Sequence, residues 1–287
     1  MLLSNLYIHL KELLLEKFSM QESKILVDRV FLLKKNYSKT DLVLKSNENI
    51  TQIEFIEFEK IVARLKTDEP IEYIFNNSQF LDLQLFVDNS TLIPRPETEE
   101  LVLKISDYLN STISQKIKII DIGTGSGCIP VYLASKFKDA QVFACDISVN
   151  ALNVAKKNAE HYNLDINFFL LDVLEYEKFT IPEYCFDIIV SNPPYVMNSE
   201  KKMMKNNVLD YEPYSALFVD DNNPLIFYKK ICDFSKKYLV CGGKIFFEIN
   251  EKFGHQIELL MKELGFNCIK IYKDYFQKDR IVEAVKI

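Results

Sequence analysis

All seven glycines of this 287-residue chain lie at or beyond residue 123, and three of them are packed into Gly123-Thr124-Gly125-Ser126-Gly127. Glycine is what lets a backbone turn tightly or approach a ligand closely. A long N-terminal stretch without it, and without proline before Pro70, suits helices joined by polar turns. Leu3, Leu6, Leu10 and Leu13 recur at helical spacing, as do Phe55, Phe58, Val62 and Leu65. Ser23–Lys35 and the shorter Asp41–Lys45 are further helix candidates. Residues 1–75 therefore read as a small helical domain, either a stability cap or a substrate-docking module.

Residues 76–95 read as a hairpin linker. Leu81, Leu83, Leu85 and Val87 alternate with Asp82 and Gln84, the period of a half-buried strand. Asp88-Asn89-Ser90 is a turn, and Thr91-Leu92-Ile93 is expected to return as the second strand. Pro94-Arg95-Pro96-Glu97-Thr98-Glu99 then opens a helix, with Pro96 in its first turn and acidic side chains at its positive end. The segment is either a connector or part of an active-site wall.

Residues 96–287 alternate strand and helix. Strands are expected at Ile117–Ile122, Gln141–Cys145, Asn167–Leu171, Phe186–Val190 and Lys244–Ile249, the last entered through Gly242-Gly243. Helices fall between them, up to Leu225–Tyr238 and Gln256–Leu264. Two closing strands, Asn267–Tyr272 and Ile281–Val285, are close enough to form an antiparallel edge pair. The fold class is α/β, a mostly parallel seven-stranded sheet covered on both faces.

Asn192-Pro193-Pro194-Tyr195 follows the apolar run Phe186–Val190 directly. Neither proline can donate to a ladder, so the strand stops near Ser191. In open α/β sheets ligands bind at that carboxyl end. An Asn carbonyl and proline-rigidified backbone carbonyls are acceptors that can hold an –NH2 group flat.

The glycine loop follows a strand and opens a helix, the context in which such a loop binds a nucleotide-like ligand. Its spacing is GxGxG, and no Lys-Ser/Thr follows, so a pyrophosphate cradle is disfavoured. Asp146, nineteen residues after Gly127, suits a carboxylate accepting two ribose hydroxyls. Asp172 ends the third strand, where it could accept from an adenine amino group. With Asp121, three strand ends carry carboxylates, which favours S-adenosylmethionine, with its sulfonium and ammonium, over the two phosphates of NAD.

Other features exclude rather than select. No run of about 18 apolar residues predicts a membrane span. Lys11, Glu12, Glu16 and Lys17 break any secretory pattern, and six scattered cysteines without a CxxC pair point to reduced thiols in the cytoplasm and away from zinc. The net charge is −6, and residues 1–80 hold 11 basic against 12 acidic side chains, so no basic nucleic-acid surface is evident.

Together, Leu92 to Glu99, Asp121 to Gly127, Asp146-Ile147-Ser148 and Asn192 to Tyr195 resemble the release-factor glutamine methyltransferases. Tyr211-Glu212-Pro213, Ala216-Leu217-Phe218 and Asp279-Arg280-Ile281-Val282 extend the likeness over nearly the whole chain. The resemblance implies a Rossmann-like class I methyltransferase domain behind a helical domain that docks the substrate. It implies that Gly123, Thr124, Gly125, Ser126, Gly127 and Asp146 hold S-adenosylmethionine, and that Asn192, Pro193, Pro194 and Tyr195 receive the glutamine of the Gly-Gly-Gln loop in class 1 peptide release factors. The partner is then a release factor, with no stable nucleic-acid complex, no membrane, and a monomeric enzyme. Two positions depart from the family pattern. Val173 stands where a Trp is frequent, so apolar contact replaces stacking on adenine, and Asn76 stands where a glycine is common.

From the chemistry of the groups, Asn192 Oδ1 and the Pro193 carbonyl accept the two amide N–H bonds, and Tyr195 packs on the amide plane. His9, His161 and His255 read as structural or surface residues. Rival readings are a ribosomal-protein glutamine methyltransferase, an adenine amino methyltransferase acting on nucleic acid, and a catalytically silent binding module.

Overall fold

The computed structural model describes residues 1–111, 116–178 and 185–287, which form two compact units. The first unit comprises Met1–Asn76 with Asn206–Tyr211, the second Asn77–Lys205 with Glu212–Ile287.

The first unit is helical: α1 Leu3–Leu15, α2 Met20–Lys35, α3 Lys39–Leu44, α4 Gln52–Lys66 and α5 Ile71–Phe75. Three of these start in capping boxes, Ser19 with Glu22, Ser38 with Asp41 and Thr51 with Glu54, each answering two orphan amides of a first turn. Leu3, Leu6, Leu10 and Leu14 of α1 pack with Val27, Val30 and Phe31 of α2 and Phe58, Val62 and Leu65 of α4. Tyr211, closing the short helix α9 (Asn206–Tyr211), donates its hydroxyl to the Thr67 carbonyl at 2.8 Å. Asn76 ends α5 at φ 49°, the left-handed region that glycine occupies without penalty. Asn76→Ala is expected to destabilise this unit by about 1 kcal/mol, and Asn76→Gly to stay within a few tenths, read from denaturant midpoints.

The second unit begins with a hairpin whose register differs from expectation. Strand β1 (Ser78–Phe80) pairs with β2 (Leu83–Leu85) across Leu81-Asp82, with Leu81 at φ 51°. Thr91–Ile93 is no strand; Thr91 N–H closes a turn onto the Asp88 carbonyl. Period-two hydrophobicity marks a half-buried run but not where the chain reverses, and a leucine is a poor cue for a left-handed turn.

Helix α6 (Pro96–Ser111) leads to β3 (Lys118–Ile122), α7 (Cys128–Lys136), β4 (Gln141–Asp146), α8 (Val149–His161), β5 (Ile166–Leu170) and β6 (Phe186–Ser191). A short parallel pair, β7 (Val196–Met197) and β8 (Phe218–Val219), follows, with 3-10 turns at Asn198–Met203 and Tyr214–Ala216. Then come α10 (Ile226–Tyr238), β9 (Leu239–Glu248), α11 (Gly254–Glu263), β10 (Phe266–Lys273) and β11 (Asp279–Lys286). The main sheet runs β10-β11-β9-β6-β3-β4-β5, parallel except for β11.

The final two strands form the antiparallel pair expected at one edge of the sheet, with β10 outermost and β11 between β10 and β9. One detail corrects the sequence expectation. Gly242 and Gly243 lie inside β9, where the register against β6 jumps from Phe186↔Leu239 to Ile188↔Lys244. Sequence proximity predicts that β10 and β11 pair, but the second neighbour of β11 is a tertiary choice.

Alternation along each strand divides the core into two layers. Ile119, Val142, Ile188 and Phe246 pack against α6 and α7 together with Phe80, Leu83 and Leu85 of the hairpin. Ile120, Phe143, Ile189 and Phe247 face α10 and α11. Because β3 has β4 on one side and β6 on the other, the chain order reverses there. The carboxyl ends of β3 and β6 thus open the crevice where α/β sheets bind ligands.

Candidate active site

The loop after β3 folds back over the end of β4. Gly123 and Thr124 both donate backbone N–H to the Cys145 carbonyl, at 2.9 and 3.0 Å. Gly127, at φ 79°, closes the loop onto Thr124 and starts α7. A Cβ there would lie 2.9 Å from Ala155 Cβ and 3.0 Å from its Cα, so α8 packs directly on the loop. Asn158 of α8 reinforces this, donating to the Ser126 carbonyl at 2.8 Å.

Asp146 closes β4. Its Oδ2 accepts the Gly125 N–H at 2.8 Å and its Oδ1 the Ser148 N–H at 2.9 Å, which joins the loop to the start of α8. Burial pushes its carboxyl above the ordinary range, against the pull of the Gly125, Ser148 and Ile147 amides. Asp121 lies beneath the loop, 1% exposed, and does not line the cavity. Neither of its oxygens, nor the Thr124 hydroxyl, completes a hydrogen bond of good geometry. Burial pushes its carboxyl up to about 7; the nearby Thr124 hydroxyl opposes the shift and Asp146 adds to it. Asp121 is thus not among the residues that line the cavity, whereas Gly123 and Thr124 of the following loop are.

One cavity of about 290 Å³ gathers Gly123, Thr124, Gly125, Ser126, Asp146, Asp172, Val173, Asn192, Pro193 and Pro194. Asp172 Oδ1 accepts the Leu174 N–H at 2.9 Å, turning Val173 and Leu174 into the wall. Ser191 anchors the end of β6 by donating its hydroxyl to the Ile122 carbonyl at 2.6 Å. Asn192 Nδ2 donates to Thr98 Oγ1 at 3.0 Å, and Thr98 Oγ1 donates to Glu248 Oε2 at 2.6 Å. Tyr195 does not line the cavity. Its hydroxyl donates to Glu248 Oε1 at 2.9 Å and its ring packs on the core layer of α10 and α11. The aromatic after Pro194 turns inward because the buried Glu248 carboxylate needs a second donor.

Sequence reasoning left open whether Pro94–Glu99 forms an active-site wall, and missed the partners that Thr98 and Arg95 find. Thr98 and Glu248 are 150 positions apart, although a lone acid ending the apolar run Ile245-Phe246-Phe247 was a visible anomaly. Arg95 Nη2 and the buried Glu212 pair at 2.5 Å, and Glu212 also accepts the Ile93 N–H at 3.3 Å, clamping two walls of the cavity together. Phe227 and Ile231 of α10 also line the cavity. Among the described residues, no group of three or more His, Cys, Asp or Glu side chains is placed to hold a metal ion, and no helix is long and apolar enough to cross a membrane.

The sheet order, the glycine loop over a buried carboxylate, and an amide-proline-proline segment at the next strand end define a class I S-adenosylmethionine-dependent methyltransferase. The methyltransferase small domain family matches residues 102–210, and the PrmC N-terminal domain family matches residues 24–75. The release factor glutamine methyltransferase of Flavobacterium psychrophilum is 42% identical over 247 residues, 86% of each chain. That of Streptococcus pneumoniae is 37% identical over 98% of each chain. The chain belongs to the release factor glutamine methyltransferase family. Among solved structures, the hMettl16 catalytic domain in complex with a MAT2A 3′UTR hairpin aligns with a TM-score of 0.55 at 16% identity, covering 83% of this chain and 84% of that one. A methyltransferase from Pyrococcus furiosus aligns with a TM-score of 0.50 at 19% identity, covering 78% and 96%. These two likenesses concern the fold.

Proposed function

We propose that the protein transfers the methyl group of S-adenosylmethionine to the side-chain amide nitrogen of the glutamine in the Gly-Gly-Gln loop of class 1 peptide release factors. The observation that carries this reading is one cavity shared by the glycine loop and by Asn192 and Pro193. Methyltransferase chemistry needs a donor and a planar –NH2 side by side, and this cavity supplies acceptors for both.

The residues fit the cofactor. Asp146 in the wall and Asp121 beneath the loop place negative charge, with no ion-pair partner among the described residues, beside the unsatisfied Thr124 hydroxyl, which suits a sulfonium and an ammonium. Gly123 to Gly127 and Asp146 would hold the donor, with Asp172 and Val173 on its adenine side. When bound, S-adenosylmethionine supplies an electrophilic methyl group. Asn192 Oδ1 and the Pro193 carbonyl accept the two N–H bonds of the glutamine amide, fixing its nitrogen and stabilising the positive charge that develops there. Among the described residues no His or Lys lines the cavity, so the nitrogen loses its proton to water after transfer. Tyr195 braces the Pro-Pro segment through Glu248, and the helical unit docks the release factor. The enzyme acts as a monomer in the cytoplasm and forms no stable nucleic-acid complex.

The deciding experiment is transfer of labelled methyl to a purified release factor, beside its Gly-Gly-Ala mutant and duplex DNA. Label on the wild-type factor alone supports the reading. Label on DNA, or equal label on the mutant, overturns it.

Asp121 makes cofactor affinity depend on pH. The folded protein holds this proton more tightly than the unfolded chain, so the group costs stability as pH rises between 3.8 and about 7. A bound cation stabilises the ionised form, lowers the carboxyl's proton affinity and releases a proton. Affinity for S-adenosylmethionine is therefore expected to rise from pH 6 to pH 8 in titration calorimetry, and Asp121→Asn to flatten that rise. An equal slope in both proteins would count against the assignment.

A further inference from the structure

We propose that Thr98 and Glu248 are positioning residues that set hydrogen-bond direction at Asn192, so that its carboxamide offers oxygen rather than nitrogen to the substrate. The inference rests on the reading that Asn192 receives a glutamine amide.

Glu248 ends β9 with no exposure, and both of its oxygens accept: Oε2 from Thr98 at 2.6 Å and Oε1 from the Tyr195 hydroxyl at 2.9 Å. In its ionised form Glu248 has no proton to give. The single hydroxyl proton of Thr98 is therefore committed to Glu248, and only lone pairs remain on Oγ1. Asn192 must turn its –NH2 toward them, as the 3.0 Å Nδ2···Oγ1 bond records. Oδ1 is then the free acceptor of the group. The shape of an Asn side chain does not distinguish its two orientations; the hydrogen-bond network does. In the flipped orientation N–H would meet N–H, and the site would favour a carboxylate over an amide.

The device depends on the charge of Glu248. Burial raises its proton affinity, while the Thr98 and Tyr195 hydroxyls and Arg280 of β11 oppose the rise. Glu97 of α6 adds to it, Cys128 of α7 lies within its field, and Tyr228 of α10 donates to its backbone carbonyl at 3.1 Å. A proton on Glu248 gives that side chain a donor, frees Thr98 to donate to Asn192, and removes the constraint. Turnover is therefore expected to fall on the acid side as Glu248 protonates.

The test is steady-state kinetics of the full-length protein with a purified release factor, with cofactor binding as the control for folding. Thr98→Val keeps the shape and removes the relay; kcat is expected to fall about 100-fold, as when one preorganised polar group is lost, with cofactor affinity unchanged. Thr98→Ser should recover kcat to within about threefold of wild type, since the hydroxyl returns. Glu248→Gln should lose the acid limb of the kcat–pH profile. Thr98→Val with half or more of wild-type kcat, or Thr98→Ser as impaired as Thr98→Val, overturns the inference. Should Thr98→Val fail to bind cofactor, the pH comparison decides, and the same acid limb in Glu248→Gln as in wild type overturns it. A second readout is independent of substrate. The Asn192 side-chain amide resonance, assigned by its loss in Asn192→Ala, should shift in Thr98→Val; an unmoved resonance refutes the relay. Wild-type enzyme that methylates no release factor sinks the functional reading instead, and the amide resonance still tests the relay.

Discussion

Asn192→Ala is expected to lower kcat by about 100- to 1,000-fold while leaving the dissociation constant of S-adenosylmethionine within about threefold of wild type, on the scale of losing one preorganised polar group at a reacting centre. The side chain stands at the end of β6 and lines the same cavity as the glycine loop, but it makes none of that loop's hydrogen bonds. An acceptor lost from this position leaves the amide nitrogen free to rotate, and an amide lone pair delocalised into its carbonyl is a weak nucleophile unless it is aligned. The loss should therefore appear in kcat, because the interaction matters most as positive charge develops on nitrogen. Single-turnover transfer to a release factor, with cofactor binding measured separately, checks both halves. Retention of a tenth or more of wild-type kcat would exclude Asn192 as the principal acceptor.

Gly127→Ala is expected to cost roughly 2–5 kcal/mol of stability, the sum of a left-handed backbone penalty and overpacking against a helix. The position has φ 79°, and a Cβ would press on both the Cα and the Cβ of Ala155. Helix α8 has little room to retreat, because Asn158 bonds at once to the Ser126 carbonyl, the Phe86 carbonyl and the Phe86 N–H. Thermal unfolding should shift down by roughly 5–15 °C. Gly125→Ala is the control: its φ is 53°, but a Cβ would meet nothing within 4 Å, so only the backbone penalty applies. Equal shifts in the two variants would mean that the close approach of α8 carries no weight. Loss of cofactor binding should accompany the larger shift, since the same loop positions Gly125 N–H on Asp146.

Much of the fold was legible because it is local. Helical spacing of Leu3, Leu6 and Leu10 marked α1, and Phe55, Phe58, Val62 and Leu65 marked α4. Alternating apolar strands and helices from Ile117 onward marked a parallel sheet, since each strand must bury two faces. Asp146 was legible from its distance to the glycine loop, and Asn192 from two prolines that no central strand tolerates.

Other features were not legible, each for a physical reason. The hairpin reverses at Leu81-Asp82, because a left-handed leucine is set by packing and leaves no mark in composition. Within the expected edge pair, it is β11 that joins β9, a choice made by the sheet as a whole. Asp121 sits behind the loop rather than in the cavity, since the course of the loop after β3 decides which strand-end groups face the ligand. Tyr195 turns inward because a carboxylate 53 residues later is buried and needs a donor.

By itself the sequence determined which elements form and which strand ends carry acceptors, because periodicity, proline and glycine act over a few residues. Only the tertiary structure decided which way those acceptors point. Thr98 from a helix, Asn192 from a loop and Glu248 from a strand share their protons only where the fold brings them within hydrogen-bond distance. The direction of such a bond depends on all three groups at once.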